Sequence, residues 1–176
     1  MASNPCNAVE FPAPLSKTTR KPHYVTASEQ ERIEMMAPNY LKQAIVIISE
    51  MGLRPYKGLM PMKKSQVDLE NAVFHIQDSK TPSGVGDMPM TERAREAFKW
   101  RIEETAGSDY LFPRLSSRGK KAYHGSLKKV WGTTLRKAGV PRFSLYELRH
   151  TFATRLSADG VSDHFVTQAK LDRNAK

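Results

Sequence analysis

Tyr146 and Arg149 stand three residues apart at the head of the stretch Ser144-Leu145-Tyr146-Glu147-Leu148-Arg149-His150-Thr151-Phe152-Ala153-Thr154-Arg155-Leu156. On a helix that spacing puts both side chains on one face. A guanidinium is a permanently charged planar fork for oxyanions, and a phenol is a hydrogen-bond donor. Beside the orphan N–H groups and the positive dipole end of a helix, the pair would welcome a phosphate. The same spacing fits an ordinary core helix with a solvated arginine, and spacing alone favours that second reading.

The elements that must position these residues can be read from caps and periodicity. Ser144 and Glu147 form a capping box, in which the serine hydroxyl takes the N–H of Glu147 and the carboxylate takes the N–H of Ser144. Leu145, Leu148, Phe152 and Leu156 make one apolar stripe, and Gly160 stops the helix. Thr26 and Glu29 form another capping box, opening a first helix that runs to about Met36. Pro38 takes a favoured early position in a second helix, with Leu41, Ala44, Ile45, Ile48 and Met51 as its buried stripe. Gly52 ends that helix and Arg54 follows at once. Val67 to Gln77 reads as a strand with a preceding turn, and Val85 to Met90 as its partner across Thr81-Pro82-Ser83-Gly84, which puts Lys80 at a hairpin tip. Thr91 to about Glu104 is helical with Gly107 as a stop, and Tyr110-Leu111-Phe112-Pro113 is an apolar segment on the core. A helix capped by Ser126 runs through Leu127, Val130, Trp131 and Leu135 to Gly139-Val140-Pro141. The fold class predicted is mainly α with a small antiparallel β-sheet.

The formal charge of +10 and a pI near 9.8 favour a polyanionic partner. The charge is local. Between Leu111 and Tyr146 there is no Asp or Glu, while Arg114, Arg118, Lys120, Lys121, Lys128, Lys129, Arg136, Lys137 and Arg142 all fall there. Such an imbalance suits a face that tracks phosphates, with a merely solvated basic surface as the alternative. The single cysteine, Cys6, excludes an internal disulfide framework and a cysteine-based zinc site. No apolar run nears a membrane span and the N-terminus has no secretory pattern, which points to the cytoplasm. Pro5, Pro12, Pro14 and Pro22 mark residues 1–22 as an extended arm or linker.

Several segments follow one another in a telling order: Gly52-Leu53-Arg54, the hairpin with Lys80, Thr91-Glu92-Arg93-Ala94, Tyr110-Leu111-Phe112-Pro113, and Leu148-Arg149-His150-Thr151-Phe152-Ala153-Thr154. In that order they resemble the catalytic domain of the tyrosine recombinases, the phage-integrase family, over roughly Pro22 to Gln168. Asn4-Pro5-Cys6 with Val9 also looks like the linker that joins that family's N-terminal DNA-clamping domain to its catalytic domain. The resemblance therefore implies residues 1–22 as a linker from an absent DNA-binding domain, 23–168 as a catalytic domain and 169–176 as a C-terminal segment. It implies site-specific recombination or integration on duplex DNA, by a homo-tetramer on that DNA. A tyrosine attacks a backbone phosphate, leaving a 3′-phosphotyrosine and a free 5′-hydroxyl, with no metal or nucleotide cofactor. Arg54 and Arg149 would hold the equatorial oxygens of the phosphorane. Lys80 would protonate the leaving oxygen, with Lys63 or Lys64 as fallback acids if the hairpin is misread. Arg114, Arg118, Lys120, Lys121, Lys128, Lys129 and Arg142 would hold backbone phosphates.

There are departures from the family pattern. Tyr146 stands where the family usually has a histidine; it still donates a hydrogen bond, but a phenol with a pKa near ~10 shuttles protons poorly at neutral pH. His150 reads as a packing residue, and Lys57 stands where an acidic residue is common. After Val166 the family continues to a histidine-containing triplet and then to its nucleophile, yet none of the six tyrosines follows Tyr146. Either residues are absent between about Gln168 and Ala169, or the chain is one without a nucleophile. The rival functions are a non-catalytic DNA-binding protein on a recombinase scaffold and an RNA-binding helical domain.

Overall fold

The helix α2 (Asn39–Met51) is the spine around which the other elements pack. Leu41, Ala44, Ile45, Ile47 and Ile48 are fully buried, so more than one face of the helix is covered. Its run of β-branched residues is poorly suited to an isolated helix, and burial on several sides overrides that preference. A computed structural model gives this arrangement and describes residues 23–76, 86–114 and 123–161. The arm 1–22, Lys80, Arg118, Lys120, Lys121 and the Gln168–Ala169 junction lie outside the described residues. Among the described residues, no helix is long and apolar enough to cross a membrane.

Against α2 lie α3 (Glu92–Glu104) and α5 (Glu147–Ala158), while α1 (Ala27–Met36) packs on α4 (Lys128–Lys137). The capping box at α1 forms as expected: Thr26 Oγ1 accepts the N–H of Glu29, and the Glu29 carboxylate accepts the N–H of Thr26. Pro38, by contrast, sits one residue ahead of α2 rather than inside it. Its ψ of 150° is extended, and its carbonyl accepts the first helical N–H bonds, from Leu41 and Lys42 at 2.9 Å each. A cap must leave the helical ψ before the helix begins, and proline fixes only φ.

Within Val67 to Gln77 the expected turn and strand both form, and a further short strand precedes the turn. β1 (Val67–Asp68) and β2 (Val73–Ile76) flank a tight turn, and β3 (Gly86–Pro89) pairs with β2, giving the antiparallel order β1-β2-β3. The turn is held by local side-chain bonds to the backbone. Asp68 Oδ1 accepts the N–H groups of Glu70 and Asn71 at 3.0 Å each, and Asn71 Nδ2 donates to Oδ2 at 2.6 Å. Phe74 is fully buried opposite Met88 and meets Phe98 of α3, ring centroids 6.1 Å apart. That contact anchors the sheet on the core.

Helix α3 ends at Glu104, as the sequence leads one to expect, with Gly107 just beyond. The buried Arg101 fastens the chain that returns from that end: its Nε and Nη2 donate to the Leu111 carbonyl, drawing it across the helix. The Arg101 guanidinium also stacks over Phe112, 4.7 Å from the ring centroid, while Leu111 and Phe112 are fully buried.

Gly52 caps α2 in the left-handed region at φ 63°, and a Cβ built there would run into the Phe152 ring of α5. Glycine is needed twice over, for conformation and for the close helix approach. Gly52→Ala should therefore destabilise the fold by on the order of 3 kcal/mol, summing left-handed strain and overpacking. Urea unfolding measures this, and Phe152→Ala in the same chain should recover the packing part only.

Candidate functional site

Helix α5 begins after a turn built on three side chains. The Glu147 carboxylate accepts the Ser144 N–H at 3.0 Å, as the capping box requires. The other half differs from expectation: Ser144 Oγ accepts from Tyr146 at 3.2 Å, and the N–H of Glu147 goes to the Ser144 carbonyl at 2.9 Å. Tyr146 already has helical angles, φ −64° and ψ −24°, which brings its N–H rather than that of Glu147 under the hydroxyl. The N–H groups of Leu148 and Arg149 go to the carbonyls of Leu145 and Tyr146. The donors at this helix start are thus used internally, and an anion here would be held by side chains instead. The predicted stripe also fades along the helix. Leu145 and Leu148 are buried but Phe152 and Leu156 only half-buried, while Thr151 and Ala153 are buried because α5 is covered on more than one side.

Arg149 is 7% exposed, and its Nη1 donates to the carbonyl of Gly52, 97 residues earlier in the chain. A buried guanidinium demands acceptors, and this one lies at the C-terminal end of α2, where free carbonyls and the negative dipole end favour a cation. Arg54 is two residues on from Gly52, a chain span of at most about 7 Å. Arg54 is half-buried, and its carbonyl accepts from Gly58 and Leu59 at 2.9 Å each, closing a single π-helical turn over Pro55–Leu59. The Tyr146 ring is half-buried and meets His150 edge-on, centroids 5.3 Å apart. The bond to Gly52 thus brings the Arg149 side chain to the backbone two residues from Arg54, at the seam where the start of α5 meets the end of α2.

The fallback acids fare differently. Lys64 Nζ donates to the Thr105 carbonyl and is committed to the end of α3. Lys63 is exposed on a segment that bridges to Tyr110. Lys57 is exposed on the turn after Arg54. The Thr91-Glu92-Arg93-Ala94 motif serves the scaffold. Thr91 caps α3 and donates to Glu50, while Arg93 spans Glu34 at 2.7 Å and Glu50 at 3.1 Å, tying α3 to α1 and α2. Burial would lower the Arg93 pKa, but those two carboxylates outweigh it and hold the group above its ordinary value.

A second basic feature lies on α4. Lys128, Lys129, Arg136 and Arg142, with Gly132 and Thr133, line an open groove of about 490 Å³. Lys128, Gly132 and Arg136 follow one i, i+4 row of the helix, with Lys129 and Thr133 on the next. Lys128 and Lys129 occupy the first turn, with no acidic residue beside them. A cation there is repelled by the dipole, at a cost of about 0.3–1 kcal/mol each, which a bound anion would offset. Arg136 belongs with this face, although the sequence alone gave no reason to single it out from the other cations; its place in the Lys128 row is the signal. Arg114 is exposed at the edge of the same stretch. Burial pushes the nearby His124 below its ordinary value, and the charges of Arg101 and Arg114 push the same way, so the face owes its charge to Lys and Arg. Among the described residues, no group of three or more His, Cys, Asp or Glu gathers where it could hold a metal ion.

Comparison with known proteins adds to this geometry. Residues 23–170 match the phage integrase family. The chain is 30% identical over 104 residues to the transposase from transposon Tn916 of Enterococcus faecalis, which covers 51% of this chain and 25% of that protein. It is 23% identical over 164 residues to the integrase of Salmonella phage P22, covering 87% of this chain and 41% of that protein. Its fold is similar to the Tn1549 transposon integrase solved in complex with circular intermediate DNA, with a TM-score of 0.74 at 20% identity, over 90% of this chain and 65% of that one. The chain spans less than half the length of the curated relatives it matches.

If the α4 face tracks phosphates, Lys128→Ala with Lys129→Ala should weaken duplex binding to all sequences alike. Fluorescence anisotropy across a salt series should show the log–log slope falling by about 2. An unchanged slope would remove those two residues from the interface.

Proposed function

The chain belongs to the phage integrase family, and from that premise we propose that it carries the phosphate-binding centre of a tyrosine-type, site-specific DNA recombinase acting on duplex DNA. The observation that supports this most is the bond from Arg149 to the Gly52 carbonyl, which draws the GLR segment and the LRHT segment together from distant parts of the sequence. In this reading Arg54 and Arg149 clasp the non-bridging oxygens of one phosphate and stabilise the charge that grows there in the phosphorane. Tyr146 donates a hydrogen bond to the same phosphate. Lys80 delivers a proton to the leaving 5′-oxygen. The P–O5′ bond breaks as the attacking oxygen bonds to phosphorus, and the bond energy is retained for rejoining. The α4 face grips the backbone alongside. The working form is a tetramer on DNA, in the cytoplasm.

One reading from another class has a specific observation behind it. Tyr146 stands where the family usually has a histidine. A scaffold that binds DNA without cutting it would tolerate that change.

Chemical rescue separates the two. Duplexes enriched by binding from a random library are incubated with the protein and hydrogen peroxide, whose anion can attack an activated phosphate in place of a phenol. The recombinase reading expects breakage at one defined phosphate, with a free 5′-hydroxyl on the downstream strand. Arg54→Ala or Arg149→Ala should each slow it by at least about 100-fold. Tight binding with no position-specific breakage would favour the non-cutting scaffold.

A further inference from the structure

The chain entering the domain does not simply lead into α1; it is laced along α5. The His23 N–H donates to Glu147 Oε2 at 2.6 Å. The Val25 N–H donates to Thr151 Oγ1 at 3.1 Å, and Arg155 Nη2 donates to the Val25 carbonyl at 3.1 Å. Arg155 Nη1 adds a bond to Gln30 of α1 at 2.8 Å. Glu147, Thr151 and Arg155 are four residues apart, so they form one row on α5. Residues 23–25 follow that row for two turns. The His23 ring is stacked on Phe143, centroids 4.6 Å apart, just ahead of the α5 turn.

Glu147 is the hinge of this lacing. One carboxylate oxygen holds the incoming chain at His23 and the other holds the Ser144 N–H that closes the turn into α5. Its immediate neighbour is Tyr146, and Arg149 is two residues on. A carboxylate accepts such bonds strongly, and it fixes both the axial position and the rotation of the first helical turn. That turn sets where the Arg149 guanidinium points relative to Arg54.

We propose that Glu147 is a positioning residue: it clamps the chain at His23 to the helix that carries Tyr146 and Arg149, and so fixes how that helix start presents Arg149 to the phosphate site. This rests on the phosphate-site reading above. The clamp needs no contact between Glu147 and DNA.

The test compares wild type with Glu147→Ala and with Glu147→Gln, which keeps one acceptor oxygen, in the 176-residue chain. Amide exchange reads the clamp without DNA. The His23 and Ser144 amides should lose protection in Glu147→Ala while Phe98 in α3 keeps its own; Glu147→Gln should lose only one of the two. A side-chain nitrogen spectrum reads Arg149, whose Nε–H signal should move or broaden in Glu147→Ala. At saturating duplex, peroxide-driven breakage should fall at least about tenfold in Glu147→Ala with Kd changed less than about twofold, the signature of a misplaced group rather than a lost contact. Should Glu147→Ala fail to fold, Glu147→Gln carries the same three measurements. Unchanged His23 protection overturns the clamp. Lost protection with an unmoved Arg149 signal, or with breakage at the wild-type rate, overturns the positioning role. Absence of breakage in wild type counts against the recombinase reading alone, and exchange with the Arg149 signal then decides the clamp.

Discussion

One bond holds the candidate site together: the Arg149 guanidinium on the Gly52 carbonyl. It solves two physical problems at once. The end of α2 exposes carbonyls that have no partner within the helix, and α5 buries a charge that must have acceptors. Each satisfies the other, across 97 residues of sequence. The approach is possible because position 52 has no Cβ to meet Phe152. Arg54 lies two residues on, so the geometry that satisfies a buried cation also holds the backbone close to the other arginine.

The surrounding frame holds that seam from both sides. On one side α5 rests on α2, with Leu148 fully buried. On another, residues 23–25 run along the Glu147–Thr151–Arg155 row. The Glu34–Arg93–Glu50 bridge pins α3 to the same spine, and Phe74 against Phe98 fixes the sheet to α3. Little is left to adjust where the two arginine segments meet. The α4 face is different in kind. Its lysines sit against the helix dipole and cost local stability, a common mark of a surface shaped for a charged partner.

Much of this was legible in the residues themselves. Caps and periodicity located the helices, because Thr26 with Glu29 and the Leu41-to-Met51 stripe state their structure locally. The meeting of the Gly52-Leu53-Arg54 segment with Arg149 was legible only through the order of motifs; no local rule brings Gly52 and Arg149, 97 positions apart, into contact. What escaped was set by competition. The short strand before the turn went unread, because the Asp68 carboxylate takes the backbone N–H and the side-chain amide of Asn71 there, and so did the hold of Arg101 on the Leu111 carbonyl. The start of α5 was half right, since the Ser144 hydroxyl takes the N–H of Tyr146 instead. Arg93 belonged to a recognisable motif, yet its partners Glu34 and Glu50 come from two other helices and leave no trace in spacing. The role of Glu147 beyond its cap was hidden for the same reason, because His23 lies 124 residues away.

The central claim is that Arg54 and Arg149 serve one and the same phosphate. The most direct measurement is a scan in which single phosphates of a bound duplex are replaced by uncharged methylphosphonates, with affinity measured for wild type, Arg54→Ala and Arg149→Ala. The account predicts one position whose neutralisation weakens wild-type binding but costs little in either variant, because both arginines couple to that charge. If the two variants lose their sensitivity at different positions, or at none, the arginines do not share an anion and the account is contradicted.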